Sequence, residues 1–324
     1  MEFGFFHCFS RRSLNAKDYG NELAILQSIL ECGLLLVPEE LELAGERFAG
    51  GRLGSPIQFL QRRLSLTLLT EAELPAHRAK FGQFAIEFDP ESGRRLGAVP
   101  VIYLPQPNEN GEYQMLDAIS ATLLYRLREV FFVLSDLGTL ERNVEQAGGT
   151  DLIEMSPSVH RDTRTVEVKP LRDILETLGA NKQSFEDLAA ACQVIFHLFY
   201  PTDKRRSEMD SMSLNMFYYQ QREWRIISDI FVGADRRERI LSDSEKSDLC
   251  ARDSFFSEPI ETTDPHTNRT LTQRRADLCR LLERVDGRLP CEFIRRIWAP
   301  PEVRSQVEEM LRNTACAADL VVDR

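Results

Sequence analysis

The stretch FYYQQREWRIISDIFV, Phe217–Val232, decides how the chain is interpreted, because it is apolar at both ends and polar at its centre. Its β-branched and aromatic residues predict a strand. Gln221 and Glu223 lie two residues apart and would share one face of that strand, with Arg222 and Trp224 on the other. Such polar side chains form either the solvated face of a half-exposed strand or the floor of a site.

The chain has 324 residues, enough for one large domain or two smaller ones, and its 43% apolar residues can form a substantial core. A formal net charge of −11 argues against binding of nucleic acid or of an anionic membrane through a broad electrostatic surface. No apolar run approaches the roughly 20 residues that span a bilayer. Seven cysteines form no C-x-x-C pair that would indicate zinc or a disulfide framework. We therefore predict a cytoplasmic protein without a membrane segment.

The front third of the chain mixes short strands and helices, and the middle is helical. An aromatic strand is predicted at 2–10. Apolar residues recur at helical spacing over 116–137 and again over 185–199. We predict a single α+β domain over residues 1–324, with a helical insertion at 112–200.

The last third is predicted to alternate between polar and regular segments. We expect 242–270 to be polar and mobile and a helix to lie near 271–285. A strand, a helix that starts at a Pro-Pro pair and a final strand should then follow within 290–324.

Two further patterns contain candidate site residues. His7 and Ser10 lie in the aromatic first strand, and His77 and Phe81 share a face of a short helix that ends at Gly82. Each has a structural alternative. A lone histidine in an aromatic strand is more often a hydrogen-bonded core residue than a catalyst, and the second pair would simply pack at a helix end.

A carboxylate–lysine pair suggests a nuclease as a weaker alternative. Glu167 and Lys169 in TVEVK would share one strand face, with Asp162 upstream, as in restriction-type nucleases. Glu-x-Lys is very common by chance, and the negative net charge does not favour nucleic acid. This pattern therefore receives little weight.

Four segments resemble, in this order, the abortive-infection AbiGi family of bacterial phage-resistance proteins, usually labelled antitoxins: FHCFS…LAILQSILECGLLL, LTEAELPAHRAKFGQFAIEFD…AVPVIYLP, QREWRI and IRRIWAPPEVRSQVEEML. The first segment is more distantly similar to the His-x-Thr start and Ile-Leu-x-x-Gly signature of DarT-like ADP-ribosyltransferases. The resemblance covers about the first 105 residues, 217–232 and 290–314. It departs from the family at Phe81, where the family has tyrosine, and at Gln221, where it tends to have an acidic residue.

The resemblance implies a fold of two packed mixed sheets of the ADP-ribosyltransferase type, with a cleft that holds NAD. It implies that His7, with Ser10 near it, contacts the ribose on the nicotinamide side. Phe81 would stack on the nicotinamide. His77 and Arg225 are the other candidate cofactor contacts that the resemblance suggests.

The resemblance also implies that Glu223 is the catalytic carboxylate and that Gln221 orients the acceptor. Cleavage of the nicotinamide–ribose bond builds positive charge on the ribose. A fixed carboxylate stabilises this charged transition state more than it stabilises the ground state.

Two hypotheses about the function stay open. One is a phage-defence enzyme that transfers ADP-ribose from NAD to a nucleic-acid or protein target. The other is a non-catalytic antitoxin or phage-sensing module that binds a cognate toxin or phage protein, in which Glu223 forms only a structural ion pair with Arg222 or Arg225.

Overall fold

The computed structural model describes residues 2–9, 19–43, 47–48, 52–53, 57–104, 115–147, 152–155, 164–178, 184–201, 222–228, 235–263 and 270–322. The fold is α+β, as the sequence indicates, with helices around a mixed sheet. The strands are β1 (Phe3–Phe9), β2 (Leu34–Leu43), β3 (Arg47–Phe48), β4 (Arg52–Leu53), β5 (Ile57–Thr70), β6 (Phe84–Phe88), β7 (Ala98–Pro100), β8 (Ile102–Leu104), β9 (Leu152–Met155), β10 (Arg164–Glu167), β11 (Phe199–Pro201), β12 (Glu223–Ile227), β13 (Arg236–Ile240), β14 (Pro259–Thr263), β15 (Thr270–Arg274), β16 (Arg280–Val285), β17 (Ile294–Ala299) and β18 (Asp319–Val322). The helices are α1 (Gly20–Glu31), α2 (Leu74–Phe81), α3 (Pro90–Arg95), α4 (Met115–Gln146), α5 (Val168–Leu178), α6 (Phe185–Leu198), α7 (Asp243–Arg252), α8 (Arg275–Leu278) and α9 (Arg304–Arg312).

Ten of these strands form one hydrogen-bonded sheet. Eight follow the order β13-β16-β2-β5-β1-β6-β17-β18, while β12 pairs with both β5 and β7. The pair β17–β18 is parallel, and the other pairs of this sheet are antiparallel. The longest strand, β5, pairs with β2, β12 and β1 along its length. It is therefore the common neighbour of the two strands that hold His7 and Glu223.

One face of the sheet is apolar and forms the main core. Leu64 and Leu66 alternate along β5 and pack in the same buried cluster as Phe5, Ile86 and Ile226 from the neighbouring strands. Residues two apart on a strand share a face, which explains why these positions are apolar while those between them are not. Helices α1 and α9 contribute buried residues to the same cluster.

The opposite face carries the charged residues of the opening stretch. Glu223 pairs with Thr67, and Thr67 also pairs with Phe6, so these three side chains share a face. Arg225 pairs with Ser65 on that same face. We call it the polar face. The polar centre of QREWRI is thus neither a solvated strand nor part of the main core.

Two expectations for the last third were wrong. Residues 243–252 form α7, because Ser242 and Glu245 make a reciprocal capping box at its start. The helix expected near 271–285 is instead β15, the four-residue helix α8 and β16.

The geometry of the nuclease alternative also fails, since Glu167 ends β10 whereas Lys169 lies in α5. Asp162 lies outside the described residues.

The middle of the chain is largely helical. It contains α4, α5 and α6, together with a β9–β10 pair and with β11, which pairs with β8 outside the ten-stranded sheet. The single domain and the insertion boundaries at 112–200 stay predictions. Throughout the described parts of the chain, each helix is too short or too polar to cross a lipid bilayer.

Candidate functional site

Glu223 is the centre of a buried network on the polar face. Its Oε1 accepts a hydrogen bond from Ser65 Oγ at 2.9 Å and another from Arg225 Nε at 2.9 Å. Its Oε2 accepts a hydrogen bond from the hydroxyl of Tyr103 in β8. The side chain keeps 13% of its surface exposed. Both carboxylate oxygens are therefore oriented by donors from three strands.

Two arginines extend this network beneath Glu223. Arg225 is 1% exposed, and its Nη1 donates to Gln61 Oε1 at 3.0 Å. Arg63 Nη1 donates to the same oxygen at 3.2 Å. Both guanidinium groups also lie over the ring of Tyr200, at 4.0 Å for Arg225 and 4.8 Å for Arg63.

Glu39 provides the second negative charge. It forms an ion pair with Arg63 and accepts a hydrogen bond from the Tyr200 hydroxyl at 3.1 Å. Two arginines are therefore balanced by two carboxylates, as a largely buried charge cluster requires. We call Glu39, Gln61, Arg63, Ser65, Tyr103, Tyr200, Glu223 and Arg225 the Glu223 cluster.

The electrostatics keep Glu223 ionised. Burial would raise the pKa of Glu223, but the charge and hydrogen bond of Arg225, the charge of Arg63 and the Tyr103 hydroxyl together lower it below its ordinary value. Burial and repulsion from Arg225 lower the pKa of Arg63 to about 10. Burial and the nearby Glu223 charge raise the pKa of Tyr103. At neutral pH the cluster thus contains a carboxylate that accepts a hydrogen bond from a neutral phenol.

Ser65 joins His7 to this network. His7 pairs with Ile86, so it lies on the apolar face, opposite to Glu223. Its Nδ1 nevertheless lies 2.8 Å from the Ser65 carbonyl oxygen, which can only accept, so Nδ1 donates. Burial lowers the pKa of His7, although the bond to Ser65 opposes the shift. Ser65 thus contacts a neutral imidazole through its backbone and Glu223 through its hydroxyl.

The second sequence pattern lies at the end of β1. His77 and Phe81 pack against each other in α2, with ring centroids 4.4 Å apart. Gly82 follows with a φ of 132°, and a Cβ on it would lie 1.8 Å from the carbonyl oxygen of Phe9. A glycine is therefore required where α2 meets β1.

The other predicted residues are either not described or have partners other than the expected ones. Ser10 and Gln221 lie outside the described residues. Arg225 lies beside Glu223 rather than in contact with His7. Arg222 has a φ of 47°, in the left-handed region, and its side chain pairs with Glu73, so it is not the partner of Glu223.

Sequence reasoning missed most of the residues around Glu223. Arg63, Ser65 and Thr67 alternate with Leu64 and Leu66 along β5, and this alternation was a readable signal of a polar face. Tyr103 and Tyr200 gave no such signal. They are far apart in the chain and meet only because β8 pairs with β11.

The chain matches no protein-family description, no curated protein and no solved structure. The geometry offers an ionised carboxylate fixed by hydroxyl and guanidinium donors, with a neutral histidine bonded to the same serine. Such a carboxylate can stabilise a developing cation or accept a proton.

Proposed function

We propose that the protein is a bacterial phage-defence enzyme that binds NAD beside Glu223 and transfers ADP-ribose to a nucleic-acid or protein target. The observation that carries this proposal is the ionised, oriented Glu223 carboxylate, linked to His7 through Ser65. The resemblance to abortive-infection proteins supports the defence setting. The resemblance to DarT-like transferases supports a cleft of the ADP-ribosyltransferase type.

The proposed reaction breaks the bond between the nicotinamide nitrogen and C1′ of the ribose. Nicotinamide leaves with the bonding electrons, and a nucleophilic atom of the target forms the new bond to C1′. Glu223 stabilises the positive charge that develops on the ribose and accepts the proton that the target atom releases. His7 lies on the opposite face of the sheet and is joined to the site only through the Ser65 carbonyl oxygen, so a ribose beside Glu223 would not contact it directly.

The test is Glu223→Gln, which keeps the shape of the side chain and removes its charge. Turnover of NAD should fall by about a hundredfold or more, the scale for loss of an oriented electrostatic group. NAD binding by calorimetry should survive. The matched control is Glu71→Gln, because Glu71 is exposed and pairs with Arg296 rather than with the Glu223 cluster. Equal losses in both variants would contradict a catalytic role.

A specific observation favours a second function. Both oxygens of Glu223 already accept hydrogen bonds from protein groups, one of them the buried Arg225. A carboxylate satisfied in this way also fits a structural ion pair within a non-catalytic antitoxin or phage-sensing module that binds a protein partner. Wild-type protein that neither binds NAD by calorimetry nor releases nicotinamide would decide for this module.

A further inference from the structure

The three helices of the middle of the chain are attached to the Glu223 cluster at both ends. Strand β8 precedes α4, and β11 follows α6 without a gap, because α6 ends at Leu198 and β11 begins at Phe199. The two strands pair in parallel, with Tyr103 opposite Tyr200. We call α4, α5 and α6 the helical segment. Its entry and exit are thus held together by one short strand pair.

This strand pair and the end of α6 contact Glu223, Arg225 and Gln61 at three points. Tyr103 donates to Glu223, and the Tyr200 ring lies under the guanidinium group of Arg225. The carbonyl oxygen of His197, in the last turn of α6, accepts a hydrogen bond from Gln61 Nε2 at 2.8 Å. The final turn of α6 and the orientation of Glu223 therefore depend on the same few residues.

We propose that the helical segment regulates the site through Tyr103, which acts as a positioning residue for Glu223. This inference rests on the proposed function in that it assigns regulation to the same site. A displacement of α6 would move β11 and, through the strand pairing, β8. The Tyr103 hydroxyl would then leave Glu223 Oε2, which would lose the donor that fixes its direction.

Tyr103 is suited to this positioning role because it is 2% exposed and reaches Glu223 from outside the ten-stranded sheet. The other donors, Ser65 and Arg225, belong to that sheet, although the Arg225 guanidinium group also lies over the Tyr200 ring of β11. Energetic coupling between two sites is reciprocal, so, if Tyr103 couples them, a perturbation in α6 changes the properties of Glu223 and a change at Glu223 is transmitted to α6. Charged or titratable groups next to Glu223 are Arg225 on its own strand, Arg63 on β5 and Tyr103 on β8.

The first experiment follows the titration of the Glu223 carboxyl by carbon NMR in the full chain. Tyr103→Phe removes the donor to Glu223 and should shift the titration midpoint to higher pH. Tyr200→Phe is the matched control, because it removes a hydroxyl from the same strand pair that bonds Glu39 instead. Identical midpoints in the two variants would overturn the positioning role.

The second experiment tests coupling to the helical segment. Phe196 is buried in α6, with its ring centroid 6.5 Å from that of Phe131 in α4. Phe196→Ala should shift the Glu223 midpoint upward in the wild-type background and leave it unchanged in Tyr103→Phe. The same shift in both backgrounds, or no shift in either, would overturn regulation through Tyr103. Phe131→Leu is a milder perturbation of the same contact for the case in which Phe196→Ala does not fold.

Activity separates this inference from the proposed function. If wild-type protein consumes NAD, the acid limb of its pH–rate profile should move to higher pH in Tyr103→Phe and remain in place in Tyr200→Phe. If it consumes none, the proposed function fails. The titrations still decide whether Tyr103 couples α6 to Glu223, because they need no turnover.

Discussion

Glu87 and Glu223 occupy one row of the sheet and are held in different ways. The register runs from Glu87 through Phe6 and Thr67 to Glu223, across four neighbouring strands. Glu87 is 1% exposed and accepts three hydrogen bonds from β17, two from Arg296 and one from the Trp298 indole. Glu223 receives its donors from three different strands.

The difference shows what distinguishes a structural carboxylate from a candidate functional one. Glu87 is bound bidentately by a guanidinium group on the adjacent strand, the geometry that best satisfies a buried carboxylate. Glu223 has two hydroxyl donors and one guanidinium nitrogen, and it remains partly exposed. A hydroxyl group can give up its hydrogen bond to a ligand more easily than a bidentate guanidinium group can. Under the proposed function, Glu223 is the carboxylate of this row that would contact a substrate.

The largest expected effect comes from Glu87→Ala. It removes the buried acceptor of Arg296 and of the Trp298 indole, and loss of one member of a buried ion pair costs about 3–5 kcal/mol. Urea denaturation should show this loss in the free energy of unfolding. Glu71→Ala is the control, because Glu71 is the exposed partner of the same Arg296 and should cost under about 1 kcal/mol. Similar losses for both would remove the distinction between the two carboxylates.

A somewhat smaller loss is expected for Arg225→Met, which leaves Glu223 and Gln61 without their buried donor. We expect about 2–4 kcal/mol, since a charge remains without its counterion. Adding Glu223→Gln removes that charge, so the double variant should recover about 1 kcal/mol relative to simple addition of the two losses. Strict additivity in denaturation experiments would mean that the pair does not interact.

The smallest effect concerns pH. The pKa of Glu223 is lowered from its ordinary value of 4.5 in the folded protein, so the unfolded chain binds the proton more readily. The resulting stability is present above pH 4.5 and is lost as the pH falls through the folded pKa. The stability difference between wild type and Glu223→Gln should therefore shrink from pH 7 to pH 4. A constant difference would show that Glu223 gains no net stabilisation from its donors.

The sequence predicted the elements that have a clear local period. The first strand, α4, α6 and the strand of QREWRI were all indicated by the spacing of their apolar residues. The region 271–285 was assigned incorrectly because Leu278, Leu281 and Leu282 are spaced as in a helix. Leu281 and Leu282 are buried instead where β16 pairs with β2, and Leu278 ends the short helix α8. Long-range pairing overrides local periodicity at that point.

The candidate site was predictable only as separate pieces. The strand around Glu223 was predicted, although Gln221, the residue expected to share its face, lies outside the described residues, and His7 makes the hydrogen bond of the structural alternative rather than any contact with Glu223. The expectation that Glu223 and His7 point into the same cleft was not met, because the register puts them on opposite faces of the sheet. That relation depends on which residues of β1 and β5 pair, and a shift of one residue would reverse it. Local sequence does not determine such a register.

The pairing of β12 has a consequence for synthesis of the chain. β12 is hydrogen-bonded to β5 and β7, both of which leave the ribosome more than a hundred residues earlier. Until Glu223–Ile227 emerges, the nascent sheet lacks the strand that buries Leu64 and Leu66 beside Ile226 and pairs that edge of β5. An unpaired strand edge next to apolar residues is prone to aggregate. The growing chain should therefore depend on chaperones for this interval, and the ionised cluster can assemble only at a late stage of translation.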